Sequence, residues 1–236
     1  MYKITLKICG LKSARDVKIC ARPGVDILGF VTEYPLPVPW NLRRTEAAAL
    51  LPLVFPPQKT CIVTGGTPEE VVELVQSLRP NLVQLHFKET LAETKKIVLA
   101  LTPLGVGVIK TVPPSAEERI EQFGTSDPGQ IARLLCEAGI AAILLDSRAP
   151  VNAAGQGREG GTKLAELYKP ANAASVKPVI LAGGINAGNA GAMLAQSGAS
   201  HLDVMTGVER APGVKDAQKL AGLLFSIDAF LKERGE

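Results

Sequence analysis

The chain has 236 residues, a formal net charge of +3 and 46% hydrophobic residues, but only 4% aromatic ones. It is long enough to bury a large core, which must be built from Val, Ile, Leu and Ala. No basic block marks a nucleic-acid surface, and no run approaches the ~18 uninterrupted apolar residues of a membrane helix.

The first strand is expected over 3–8, within Met1-Tyr2-Lys3-Ile4-Thr5-Leu6-Lys7-Ile8, where lysine interrupts any signal-peptide pattern. A helix over 13–21 follows. The pattern then repeats: strand 26–31 and helix 43–51, strand 59–63 and helix 68–78, strand 82–86 and helix 89–101. It continues with strand 105–110 and helix 128–138, strand 142–146 and helix 161–168, strand 178–182 and helix 188–197, and ends with strand 202–205 and helix 215–231. Thr67-Pro68-Glu69-Glu70 carries an N-cap, a first-turn proline and acidic residues for the helix dipole. Gly139 and Gly198 follow helical stretches as stops. Pro35, Pro37 and Pro39 stiffen the loop after the second strand, and 147–160 reads as a mobile loop.

Strands alternating with helices imply parallel pairing by right-handed crossovers. Eight such units predict a single (β/α)8 TIM barrel over 1–236. An open doubly wound sheet competes, but no Gly-x-Gly-x-x-Gly follows the first strand. The four cysteines, Cys9, Cys20, Cys61 and Cys136, lie far apart without metal-ligand spacing and read as free thiols of a cytoplasmic protein.

Chemistry in a barrel sits at the carboxyl ends of the strands. The first strand leads into Cys9, a general base if its pKa is lowered toward neutral, or else a small buried cysteine. The fourth ends at His86, able to hydrogen-bond a substrate or to serve the fold. The sixth ends at Asp146, a general acid if apolar surroundings raise its pKa, or a loop cap. After the seventh and eighth strands come Gly183-Gly184 and Thr206-Gly207, where glycine lets the backbone approach a phosphate. His201 is expected at the far end of the barrel.

These residues, in this order, resemble the phosphoribosylanthranilate isomerase family. The matching stretches are Lys7-Ile8-Cys9-Gly10, Asp26-Ile27-Leu28-Gly29-Phe30, Val83-Gln84-Leu85-His86 and Leu144-Leu145-Asp146-Ser147. They continue through Gly160-Gly161-Thr162, Pro178 to Asn186, Asp203 to Glu209, and Pro212 to Asp216. The resemblance implies an Amadori rearrangement of N-(5-phosphoribosyl)anthranilate in tryptophan biosynthesis. Cys9 would be the base and Asp146 the acid; Asp203 would hold a sugar hydroxyl or orient the site. Gly183, Gly184, Thr206 and Gly207 would bind the phosphate, chiefly through backbone N–H groups. The partner is then a small phosphorylated substrate, with no metal, no organic cofactor, no nucleic acid and no membrane.

The sequence departs from the family at four places. The loop Tyr34-Pro35-Leu36-Pro37-Val38-Pro39-Trp40 lacks the arginine expected to hold the anthranilate carboxylate; Arg43, Arg44 and Arg148 are the candidates to replace it. Phe87, Lys163 and Met205 stand where the family has two glycines and a serine. Trp40 either stacks on the substrate ring or packs on the rim. Two other readings stay open: a paralogue acting on another phosphorylated aminosugar, and a non-catalytic barrel that binds a phosphorylated metabolite.

Overall fold

The computed structural model describes residues 3–146 and 164–235. The strands are β1 (Thr5–Ile8), β2 (Ile27–Val31), β3 (Lys59–Thr64), β4 (Leu82–Leu85), β5 (Gly107–Val112), β6 (Ala142–Asp146), β7 (Val179–Ala182) and β8 (His201–Val204). They pair in parallel in sequence order, and β8 closes on β1 with Lys7 beside Asp203 and Ile8 beside Val204. The barrel expected from the alternation is therefore formed.

Around it run α1 (Ala14–Cys20), α2 (Arg44–Leu50), α3 (Pro68–Leu78), α4 (Leu91–Leu101), α5 (Ala116–Phe123), α6 (Pro128–Glu137), α7 (Leu164–Ala174), α8 (Ala190–Ser197) and α9 (Ala217–Glu233). A short antiparallel hairpin, β9 (Glu209–Ala211) with β10 (Val214–Lys215), precedes α9. Among the described residues no helix is long and apolar enough to cross a membrane.

The two-residue period of a strand decides what enters the barrel. Leu6, Ile8, Leu28, Phe30, Leu202 and Val204 face the helices and join the main core. Their alternates, including Ile27, Cys61, Ile109, Leu144 and Ile180, fill the interior. The same parity turns Lys7 and Asp203 inward and carries on to Cys9, His86 and Asp146 at the mouth.

Local signals explain the helix starts. Thr67 accepts a hydrogen bond from Glu70 N while the Glu70 carboxylate accepts one from Thr67 N, and Pro68 fills the first turn. Thr90 and Glu93 repeat this box on α4. Gly198 ends α8 at φ +68°, as its place in the sequence predicts.

Several elements differ from expectation. β5 lies two residues later than 105–110, because the Lys110 side chain is buried against Glu89 and does not end the strand. A helix is missed altogether: α5 has few apolar positions but is framed by Ser115, which caps it, and Gly124 at φ +75°. α7 runs on to Ala174 through Pro170, past the limit of 168. Lys215 belongs to β10, and Asp216 caps α9. The loop read over 147–160 lies outside the described residues, as do Gly160-Gly161-Thr162, Lys163 and Arg148.

Candidate active site

The carboxyl ends of the strands surround a cavity of about 240 Å³. Cys9, His86, Asp146, Gly183, Gly184, Asp203, Thr206 and Gly207, all singled out from the sequence, line it. Cys9 follows β1 and is buried in a layer with Val31, Trp40 and Val63. Asp146 is half-buried at the end of β6. Gly29 makes the space beside the thiol: a Cβ there would stand 2.9 Å from Cys9 Sγ and 3.2 Å from Lys7 Cε.

Burial pushes the Cys9 thiol up from its ordinary value, and Asp203 adds to that, while Lys7 and Lys215 pull it down. The condition attached to a base at this position, a pKa lowered toward neutral, is therefore not met by the surroundings of Cys9. Desolvation of a nearly enclosed thiolate outweighs two cations.

Lys7 is the group the sequence reading missed. Its side chain is 1% exposed, and its ammonium donates to Asp203 Oδ2 at 2.8 Å. Burial alone would lower the lysine pKa, but Asp203, Cys9 and Cys61 together reverse the sign and raise it. The other carboxylate oxygen, Asp203 Oδ1, is buried with no hydrogen-bond partner. Gln84 Oε1 and Gln122 Oε1 are also buried and unpaired, and both residues line the same cavity. Buried acceptors cost stability when unsatisfied, so three of them around one cavity mark where a ligand's donors would go. Only an unpaired atom could have revealed this, and a sequence does not display one.

Gln84 Nε2 donates to His86 Nδ1 at 2.9 Å, leaving the imidazole proton on Nε2. Burial, reinforced by Lys7, lowers the His86 pKa to about 4, so the ring is a neutral hydrogen-bonding group at physiological pH.

At one end of the cavity the loops after β7 and β8 lie against each other. A Cβ on Gly207 would collide with the Ile185 carbonyl, so only glycine permits this approach. Gly183 and Gly184 take φ of +101° and +68°. Asn189 Nδ2 donates to the Gly184 carbonyl at 3.0 Å and holds the turn. Among the described residues no group of three or more His, Cys, Asp or Glu is arranged to hold a metal ion. His201 opens β8 at the opposite end of the barrel, beside Thr5.

The family model for N-(5'-phosphoribosyl)anthranilate isomerase matches residues 6–225. The chain belongs to this family. The N-(5'-phosphoribosyl)anthranilate isomerase of Cereibacter sphaeroides is 30% identical over 229 residues, covering 95% of this chain and 98% of the relative. That of Methanosarcina acetivorans is 30% identical over 227 residues, covering 92% and 90%. The crystal structure of phosphoribosyl anthranilate isomerase from Thermotoga maritima superposes with a TM-score of 0.75 at 25% identity, covering 96% of this chain and 99% of that one.

Within the isomerase family two of this chain's departures, the loop over 34–40 and Phe87, meet after β2 and β4, whereas Met205 follows β8 and packs against Cys9, Val31, Trp40 and Val63. Tyr34 donates to the His86 carbonyl at 2.8 Å and meets Phe87 edge-on, with ring centroids 6.1 Å apart. Phe87 is accommodated because Gly65 faces it; a Cβ on Gly65 would clash with the Phe87 side chain. Trp40 is 1% exposed and donates through its indole N–H to Glu209 at 2.9 Å, so it is a rim-packing residue whose edge reaches the cavity. Arg43 pairs with Glu46, and Arg44 spans Glu33 and Glu73; neither lines the cavity. Arg148 lies outside the described residues. Lys88 is the one lysine or arginine among the described lining residues, and it makes no hydrogen bond or ion pair there.

Proposed function

We propose that this chain catalyses the Amadori rearrangement of N-(5'-phosphoribosyl)anthranilate with Asp146 as general acid and Cys9 as general base. The observation that carries the residue assignment is the pair itself. Cys9 and Asp146 enter one cavity from the ends of β1 and β6, and glycines of the loops after β7 and β8 line it too.

The phosphate binds the backbone N–H groups around Gly183, Gly184, Thr206 and Gly207. Asp146 protonates the furanose ring oxygen, and the ring opens to a Schiff base. Cys9, as thiolate, removes the proton from the sugar C2. The electron pair moves toward the nitrogen, giving an enolamine that becomes the aminoketose. No cofactor is needed, because the substrate's own nitrogen is the electron sink. Asp203 Oδ1 and Gln84 Oε1 accept from sugar hydroxyls, which satisfies both buried acceptors. His86, neutral, donates through Nε2.

The anthranilate ring lies toward Tyr34 and Phe87. Lys88 supplies the positive charge for its carboxylate in place of the arginine. In the eight-strand barrel β4 lies opposite β8, so Lys88 stands across the cavity from the phosphate cradle. An exposed ammonium is a weaker partner than a bidentate guanidinium. The four thiols are free, in keeping with a cytoplasmic enzyme of tryptophan biosynthesis.

The test is turnover of substrate generated in situ and followed by its fluorescence decay. Turnover that is lost in both Cys9→Ala and Asp146→Asn supports the assignment. Folded protein that binds the phosphorylated substrate without converting it would move the reading to a non-catalytic barrel.

A further inference from the structure

Ile27, Cys61, Ile109 and Ile180 form an apolar cluster in the barrel interior, on the same face of the strands as Lys7. An ammonium there has no packing rationale, since an aliphatic side chain would fill the space without desolvating a charge. The pair it forms is also poorly finished for stability, because Asp203 Oδ1 lacks a partner. What the ammonium does have is a neighbour: Cys9 Sγ and Lys7 Cε both crowd the one space that Gly29 leaves open.

We propose that Lys7 is a positioning residue whose buried ammonium, anchored by Asp203, balances the negative charge on Cys9 when that residue acts as base. The inference rests on the assignment of Cys9 as base. Lys7 touches neither the reacting carbon nor its proton; it acts through the sulfur.

The groups around the pair bear this out. Lys7 contacts Asp203 on β8 and is close enough to Cys61 on β3, Cys9 after β1 and His86 after β4 to act on them through its charge. Cys9 also feels Lys215 from β10. Lys215 is committed elsewhere, donating to Glu209 at 2.8 Å and to the Met205 carbonyl at 3.1 Å. Cys61 stays protonated, its thiol pushed by burial up to about 12, and His86 is neutral. Among the described residues Lys7 is the cation with the larger pull on a Cys9 thiolate, and Asp203 both fixes that cation and opposes the thiolate. The two act on Cys9 with opposite sign.

The experiment is the rate at which iodoacetamide alkylates Cys9 at one mildly alkaline pH, read by mass spectrometry of the Cys9 peptide. It needs no turnover, so it stays informative if the enzymatic assignment fails. Asp203→Asn is expected to react faster than the native chain. Lys7→Met/Asp203→Asn leaves no uncompensated buried charge, so it guards against misfolding. It should react at least about tenfold more slowly than Asp203→Asn, because an opposite charge at this range moves a thiol by about a pH unit or more. Lys7→Arg, which keeps the charge, should stay within a few-fold of native. Equal rates with and without Lys7, including no reaction in any chain, would overturn the proposal. Native Cys9 that shows the Lys7 effect in a protein with no isomerase turnover would instead sink the functional reading alone.

Discussion

Lys110 on β5 and Glu89 after β4 meet at 2.7 Å, and Lys7 on β1 and Asp203 on β8 meet at 2.8 Å. Both pairs join a strand lysine to a carboxylate and are buried, but their surroundings differ. Glu89 is saturated: one oxygen accepts from Gly66 N, and the other from Phe87 N and the Lys110 ammonium. It faces outward from the strands and ties the loop after β4 to the loop after β3. Asp203 faces inward, uses one oxygen on Lys7 and leaves the other unpaired at the cavity. Burial lowers the Lys110 pKa despite Glu89, whereas the anions and thiols around Lys7 raise it despite burial. The first pair is a strut. The second leaves one carboxylate oxygen without a partner at the cavity.

The largest expected effect lies on the cavity side. Cys9→Ala and Asp146→Asn should each lower kcat by about 10²–10⁴-fold, the usual contribution of a general acid or base, and weaken ligand binding much less. Steady-state kinetics beside titration with a non-reacting phosphorylated analogue separates the two; near-native kcat in either variant removes its role.

The strut should answer in stability. Glu89→Gln strands a buried ammonium and is expected to cost about 3–5 kcal/mol in urea unfolding. Glu89→Leu with Lys110→Met should recover most of that loss. If Glu89→Gln were as stable as the native protein, the distinction between the pairs would collapse.

The pH dependence sharpens the contrast further. Because the Cys9 pKa is raised, its thiolate fraction grows with pH throughout the neutral range, so kcat/KM should climb from neutral into alkaline conditions. His86, with its pKa lowered to about 4, should add no inflection near 6.5. Its folded pKa lies below the unfolded value, so its contribution to stability is present above about 6.5 and is lost as pH falls toward 4. Denaturant midpoints across that window check the sign.

The smallest effect belongs to Lys88. Exposed charge pairs contribute about 0.2–1 kcal/mol, so Lys88→Met should raise KM only a few-fold, with the difference shrinking at high salt. Lys88→Arg should match or improve on native KM. An unchanged, salt-insensitive KM in Lys88→Met would return the carboxylate to another group.

Strand alternation was legible because its period is local: each βα unit carries its own apolar pattern, and eight in succession close a barrel. Cys9, Asp146 and the paired glycines were legible as residues standing where a strand pattern stops. The roles proposed for them came from a resemblance covering most of the chain. α5 was not legible, since Ala116 to Phe123 shows few apolar positions and its start and stop residues also suit a loop. Lys7 read as the interruption of an apolar run, although the two-residue spacing to Cys9 puts both on one face of the strand; its partner is not in the local sequence. That depends on barrel closure, which sets Lys7 beside Asp203, 196 residues away. Likewise Phe87 stands where the family has a glycine, and the space that takes it is left by Gly65 on the neighbouring loop. Sequence by itself determined the order of elements and the chemical groups at their ends, because both are set by neighbours along the chain. Which groups are paired, which are left unpaired and how burial moves their protons were decided only by the closed barrel, because desolvation and Coulomb interactions depend on distance through space.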